Sequence, residues 1–551
     1  MRRMIPFLCL LTLSCQALPA APGKTDKKLV VVVVVDQMRQ DQLERYRSLY
    51  LGPEQGGLRR LSQFGIEHQR AFHDHFPTHT AVGHSAISTG ALPSVHGVVG
   101  NRWKRLGDGK LSDAGWDPDS PLVGGKKGSP GYSPRDLTAP TLGDTLKEAT
   151  GGQSKVVAVA LKDRTAVLLG GTSADASLWF DEESGNWVTS RHYAPDGSLP
   201  PFVEEWNRAH HPDQDFAKEW TPELLPTPIP ASISTGSEGV AAYYAGLGEA
   251  FPHKIDGGHP EGPSEDFYVA WTHTPWGLSS TVDLALQSVD FYELGKEGPT
   301  DLLYVGVATL DRVGHSFGPD SPEALETLLQ IDREIAKLLS GLEKKVGLSN
   351  CLVVLTADHG ITPLATRLQE LRTNAAQVPS TPFRARLEAR LAKQWSGYKL
   401  DITDPYIFVT TAPGKEADKP AMLAALKEEI LATEGMLTVL DSELLARGEH
   451  RGTSWEDKAA RSLFPGRTGD LSMVWRPNYQ LGFQKPGGTN HGTPWNDDSH
   501  VPLLMYGWSQ RGVDGRTCSP RQLVSTICLT LGLTPPGGCD ADPLPWSVPT
   551  P

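Results

Sequence analysis

At 551 residues the chain exceeds one ordinary core, so it is either multidomain or one large domain carrying insertions. An apolar fraction of 39% with 21% charged residues excludes wholesale disorder. A net charge of −13 with no Lys/Arg-rich run disfavours a nucleic-acid-binding surface, and 56 glycines with 44 prolines imply many loops, the usual carriers of a catalytic site.

The N-terminus reads as a targeting segment. "MRRM" supplies positive charge, "IPFLCLLTL" a short apolar run and "SCQALPAAPG" small residues for cleavage, which gives a signal peptide over 1–21 and a catalytic domain over 22–551. The run falls well short of the roughly twenty residues that a membrane span needs, and no other segment is long enough. The expected product is exported, periplasmic or secreted, without a transmembrane span. Cys15 follows "TLS", a poor match to a lipoprotein signal, so a lipid anchor there is the weaker alternative. Cys9 and Cys15 leave with the signal. Cys351 opens an apolar strand and is expected as a buried free thiol, whereas Cys518 and Cys539 flank a C-terminal segment and could pair in an oxidising compartment.

"KLVVVVVVDQM" (28–38) is apolar at every position until Asp36, the pattern of a strand buried on both faces at the centre of a parallel sheet. "SKVVAVALKDR" (154–164), "TDLLYVGVATLDRVGH" (300–315) and "NCLVVLTADHG" (350–360) repeat the plan, each strand running directly into charged or metal-competent residues. Ligand crevices in open α/β sheets lie beyond the carboxyl ends of the strands, so Asp36, Lys162, Asp311 and Asp358 should gather there. Between strands, Ser321 and Pro322 start a helical pattern over 320–347. Residues 104–135 read as a loop, 186–275 as a lid-like insertion and 361–485 as a second interruption; there is no internal repeat.

In "TADHG", Asp358 and His359 can share one ion only if the chain leaves the strand between them, which Gly360 permits. "DRVGHSFGPDS" sets Asp311 and His315 four apart, and "GGTNHGTP" adds His491. With Asp36 the set is three aspartates and three histidines, nitrogen and oxygen donors suited to zinc and too rich in imidazole for magnesium or calcium.

"VVVDQMR", "THTAVGHSAISTGALPSVHGVVGN", "YSPRDLTAPTLGDTLK", "VVAVALKDR", "DRVGHSFGPDS", "LTADHG" and "GGTNHGTPWNDDSHVPLLMYGW" occur in order along nearly the whole mature chain. The sequence thereby resembles the two-zinc, threonine-nucleophile bacterial alkaline phosphatases of the periplasm, relatives of the nucleotide pyrophosphatase/phosphodiesterases. The resemblance implies an α/β fold, a central, mainly parallel sheet sandwiched by helices with lid insertions, and two Zn²⁺ per chain. Asp311, His315 and His491 would hold one zinc. Asp36, Asp358 and His359 would hold the other, with Thr80 completing its sphere and serving as nucleophile. Asn101, Lys162 and Arg164 would contact phosphate. The expected substrate is a small-molecule phosphate monoester, the expected oligomeric state a monomer, and the alternative activity a phosphodiesterase or nucleotide pyrophosphatase.

In this reading none of the four histidines of "AFHDHFPTHTAVGHS" is a ligand. His84 and His96 should pack near the site, with His73, His75 and His79 partly at the surface; His79 is a departure from some relatives. "TAVGHSAISTG" looks like a helix start, which adds positive potential at Thr80. "CSPRQ" at 518 has its arginine one position too early for the sulfatase pattern, and threonine at position 80 disfavours a serine-nucleophile phosphatase or mutase.

Overall fold

The structure, a computed structural model, describes residues 26–105, 109–241, 244–449, 452–485 and 487–546. The expected signal peptide and Cys15 lie outside the described residues.

Strand β1, Leu29–Val35, shows why an uninterrupted β-branched run belongs in the middle of a sheet. Leu29, Val31, Val33 and Val35 bury into the core on one face, and Val30, Val32 and Val34 into the core on the other. In chain order the sheet adds β2 (Ile66–Phe72), β3 (Leu122–Val123), β4 (Val156–Ala160), β5 (Ala176–Asp181), β6 (Asn186–Ser190), β7 (Asp301–Val307), β8 (Cys351–Thr356), β9 (His500–Tyr506) and β10 (Gly512–Asp514). Their spatial order is β10-β2-β9-β8-β1-β7-β4-β5-β6-β3. The central run β8-β1-β7-β4-β5 is parallel. Antiparallel pairings flank it, β9 with β8 and β2 on one side and β6 with β5 and β3 on the other.

Helices cover both faces. Those used below are α1 (Thr80–Thr89), α2 (Asp163–Gly170), α3 (Pro275–Phe291), α4 (Thr309–Phe317), α5 (Pro322–Lys345), α6 (Ser380–Ala392), α7 (Lys419–Leu431) and α8 (Gln522–Leu531). Leu278 and Val282 of α3 and Leu328 and Leu338 of α5 pack on the Val31–Val33 face. Ile87 of α1, Leu169 of α2 and Ile527 of α8 pack on the opposite face. Helix α5 starts as its sequence predicts: Ser321 Oγ accepts from the Ala324 N–H at 3.1 Å, and Pro322 occupies the first turn.

The stretch 186–275 differs from the lid reading. It begins as β6 within the main sheet, and Trp220, Ile233, Ile255, Phe267 and Trp271 all bury into the main core. "NWVTS" pairs antiparallel beside a two-residue edge strand, so it lacks the continuous apolar run that marks the parallel strands. The loop region 104–135 likewise contributes β3, besides short pairings of 102–104 with 111–113 and of 116–117 with 131–132. Within 361–485 an antiparallel sheet forms in the order 399–403, 406–410, 471–475, 436–441. Phe383 and Leu387 of α6, Leu426 and Ile430 of α7, and Ile407 and Met473 of that sheet make a core of its own.

Cys351 is buried and carries a free thiol. Cys518 and Cys539 are free thiols as well, which corrects the suggested disulfide; Cys518 is buried in the apolar layer beneath α8, and Cys539 packs against it. No described helix is long and apolar enough to cross a membrane.

Candidate active site

The carboxyl ends of the central strands bring the expected residues together. Asp36 follows β1 directly and its N–H donates to the Val307 carbonyl at 2.8 Å. Lys162 lies two residues past β4 and Asp358 two past β8, while Asp311 stands in the first turn of α4 after β7. All four are buried.

Two donor clusters result. Asp311 Oδ1 lies 3.2 Å from His315 Nε2 and 3.8 Å from His491 Nε2. His359 Nε2 lies 3.3 Å from Asp36 Oδ1, 3.3 Å from Asp358 Oδ2 and 3.2 Å from Thr80 Oγ1. Asp311 reaches toward both, since Asp36, Asp311 and His359 also offer ligand atoms within 4.8 Å of one another. The three histidines share one device. His315 Nδ1 donates to the Thr489 carbonyl, His359 Nδ1 to that of Gly360 and His491 Nδ1 to that of Thr78, each at 2.8 Å. Every proton is thereby fixed on Nδ1, and the Nε2 lone pair faces the cluster, as a metal ligand requires.

The electrostatics call for a cation. Asp36 Oδ1 and Asp358 Oδ2 are buried without a hydrogen-bond donor among the described residues. His84 Nδ1 is 3.1 Å from Asp358 Oδ2, but its proton points to the Thr80 carbonyl, 2.8 Å away. Burial and the carboxylates of Asp311 and Asp358 push Asp36 well above the ordinary carboxylate range, against the pull of Lys162. Lys162 Nζ lies 2.6 Å from Asp36 Oδ2 and also contacts Asp311, the one ammonium among three buried acids. Burial lowers His359 despite Asp358, and lowers His491 further with help from His359 and His315, so both imidazoles are neutral donors. Buried anions of this density need a compensating charge, and three carboxylates with three oriented imidazoles fit divalent zinc.

Thr80 opens α1, whose N-cap, His79, has extended backbone and no side-chain cap. Gly83 allows that helix to lie against the Asp358 backbone, because a Cβ there would stand 2.2 Å from the Asp358 carbonyl oxygen. Asn101 Oδ1 accepts from the Ala81 N–H at 2.9 Å, which leaves its amide nitrogen as the group to offer a ligand. Arg164, in the first turn of α2, lines a cavity with Lys162, Asp311 and His315; among the described residues its Nε is unpartnered and its guanidinium makes a 3.9 Å ion pair to Asp163.

His84 and His96 are buried, as expected of packed residues. His73 and His75 differ from the surface expectation: both are at most 1% exposed, bonded to each other at 3.2 Å and to the carbonyls of Ala357 and Pro77. They lie between the end of β2 and the start of α1, outside the strand, where the alternation of faces no longer applies. His79 is half-buried and edges the His491 ring at 5.9 Å.

Sequence reasoning missed two supports. Gln37, at φ 74, uses its N–H to reach Asp358 Oδ1 at 3.2 Å. Asp498 accepts from Thr493 N and Oγ1 at 2.8 and 2.6 Å and so shapes the loop after His491. The only signal for either was its place beside a motif, in "VVVDQMR" and "GTPWNDD".

Residues 30–497 match the family model of the type I phosphodiesterase / nucleotide pyrophosphatase proteins. The chain belongs to this family. It is 31% identical over 544 residues to alkaline phosphatase PafA of Elizabethkingia meningoseptica, covering 94% of each chain. It is 29% identical over 529 residues to alkaline phosphatase PhoV of Synechococcus elongatus, covering 93% of this chain and 91% of that one. Its fold is similar to the crystal structure of alkaline phosphatase PafA, with a TM-score of 0.83 at 29% identity over 94% of this chain and 98% of that chain. The α/β sandwich and membership of this family make the chain a phosphoric ester hydrolase.

Proposed function

We propose that the protein is an exported alkaline phosphatase that hydrolyses small-molecule phosphate monoesters through a phosphothreonine at Thr80. The observation that carries this reading is the threonine hydroxyl at a helix start, 3.2 Å from His359 Nε2, in a donor cluster whose Asp36 and Asp311 both contact Lys162. The names of the full-length relatives support it.

Asp311, His315 and His491 would hold one zinc, and Asp36, Asp358 and His359 with Thr80 the other. Bound in that way, zinc supplies Lewis-acid charge that lowers the pKa of a coordinated hydroxyl and neutralises developing negative charge. The chain's own residues do the rest. Thr80 Oγ, its proton lost to solvent, bonds to phosphorus as the P–O ester bond breaks. The ester oxygen departs in line on the side of Asp311 and His315, taking a proton from water to leave as the alcohol. The α1 N-terminus, the Asn101 amide and the Arg164 guanidinium hold the non-bridging oxygens. Water then cleaves the phosphothreonine from the face that the alcohol left.

Charge favours the monoester. Two zinc ions, three aspartates, the Thr80 alkoxide, Lys162 and Arg164 sum to a formal charge of about +2, which complements a dianion; without the two basic residues the sum is about 0. Arg164 can also make a two-pronged contact that a second ester group would crowd. The family name keeps the diesterase as the second reading. The test is to chelate the protein, restore zinc and compare kcat/KM on an aryl phosphate and its bis-aryl diester, with elemental analysis alongside. About two zinc ions per chain and a monoester preference are expected. An active preparation holding one zinc or none sinks the two-metal assignment, and a diester preference overturns the substrate class.

A further inference from the structure

Among the described residues the exposed large aromatic side chains are Tyr244, Phe291 and Phe483. Two of these three, Tyr244 and Phe483, line one cavity of about 580 Å³ whose wall also includes Lys162, Arg164, Asp311 and His315. Exposed apolar side chains gathered on one cavity wall are the kind of patch that marks a ligand-binding groove, and here the patch adjoins the reacting centre.

We propose that the departing alcohol of the substrate carries an aromatic ring, received between Tyr244 and Phe483; the inference rests on the phosphatase reading and names the substrate class within it. Direction comes first. Thr80 stands with Asp36, Asp358 and His359, so an in-line departure places the leaving oxygen toward Asp311 and His315. His315 is 26% exposed, and that exposure faces the same cavity. An alcohol leaving the phosphoryl group therefore enters this space.

The cavity's lining fits a planar apolar group. Ala241, Ala245 and Val269 complete the apolar wall beside the two aromatics, and Arg312 adds a cation to that wall. The rings are held in place before any ligand arrives. Phe483 presents an edge-on contact to His315 with centroids 6.0 Å apart, and Tyr244 packs against His273 at 5.4 Å and lies beside the Arg312 guanidinium. Rigid aromatic walls lose little rotamer freedom on binding and favour offset or edge-to-face contacts with a second ring. The neighbouring cavity of about 390 Å³ also carries aromatic side chains, Trp116, Tyr132, Trp179 and Phe180, but it stands away from the departing oxygen and its lining is acidic. It lies on the Arg164 side without Asp311 or His315, and Asp163, Asp181, Glu182 and Glu183 line it.

The experiment measures kcat/KM of the zinc-loaded wild type, Tyr244→Ala, Phe483→Ala and the double variant. Phenyl phosphate, a nucleoside 5′-monophosphate and glycerol phosphate serve as substrates, and inorganic phosphate as competitive inhibitor. Each truncation should lower the rate constant about tenfold on a ring-bearing substrate. Glycerol phosphate turnover and phosphate inhibition should move less than about twofold, and Phe483→Leu and Tyr244→Phe should retain more than the alanine variants. Loss on phenyl phosphate alone means that the ring is joined directly to the ester oxygen; loss on the nucleotide means that it is reached across a sugar. Equal losses on all three substrates, or none, overturn the inference while leaving the phosphatase intact. A wild type inert on every monoester would instead sink the underlying reading.

Discussion

The side-chain amide of Gln37 donates to Asp311 Oδ1 at 2.9 Å, while the same residue's backbone N–H reaches Asp358 at 3.2 Å. Gln37 thereby spans the two donor clusters, and its left-handed backbone is the conformation that lets it do so. Outer partners of metal ligands commonly contribute about ten- to a hundredfold in affinity or activity. Gln37→Ala should lower zinc affinity in a chelator competition within that range and release zinc from the Asp311 cluster first. Unchanged affinity would show that the contact is incidental.

Thr80→Ala should abolish turnover and leave phosphate binding largely intact, because Asn101, Lys162 and Arg164 are untouched. Thr80→Ser should keep substantial activity, since the hydroxyl survives. Phosphate release by the alanine variant at near wild-type rates would replace the covalent route with direct attack by water.

Lys162 and Arg164 are assigned to the charge that a monoester carries and a diester lacks. Charge-assisted contacts are worth about 1.5–3 kcal/mol each, and more in a water-excluded site. The Lys162→Ala, Arg164→Ala double variant should lose roughly two to four powers of ten in kcat/KM on an aryl phosphate, and far less on the matched diester. Because Lys162 also contacts Asp36 and Asp311, zinc content must be measured on the same sample. Equal losses on the two substrates at full zinc occupancy would move the diesterase reading to first place.

Burial pushes Asp498 up to about 7, although Thr493 and Thr362 donate to its carboxylate. Its folded value lies above the ordinary one, so the folded state favours the protonated acid. Its stabilising contribution is full at acidic pH and is lost as the pH rises toward about 7, by up to about 4 kcal/mol. Asp498→Asn keeps an acceptor for Thr493 without a charge. Melting temperature followed from pH 5 to 9 at constant zinc should fall more steeply for wild type than for the variant; parallel curves would refute the assignment.

The parallel centre of the sheet was legible because strands buried on both faces are apolar throughout, as "LVVVVVV" and "VVAVA" show. The same rule overlooked Asn186–Ser190, an antiparallel strand that tolerates Asn, Thr and Ser. Within the site, Asp36, Asp311, Asp358 and His359 were legible because each follows a strand end. The tautomers of His315, His359 and His491 were not, since Thr489, Gly360 and Thr78 hold them through carbonyl groups that any residue type provides. Tyr244 and Phe483 escaped because their place on one cavity wall, 239 residues apart in the sequence, is a property of the fold alone.

His359 and His491 stack with ring centroids 3.5 Å apart, and the chain between them builds the antiparallel sheet with α6 and α7. The excursion thus leaves and re-enters the crevice at a single point. Growth or shrinkage of that module alters what stands over the crevice without changing the spacing of its two anchors. Natural variation in length should therefore concentrate between these histidines, and an exchange of the module between relatives should graft best with its seams just inside them.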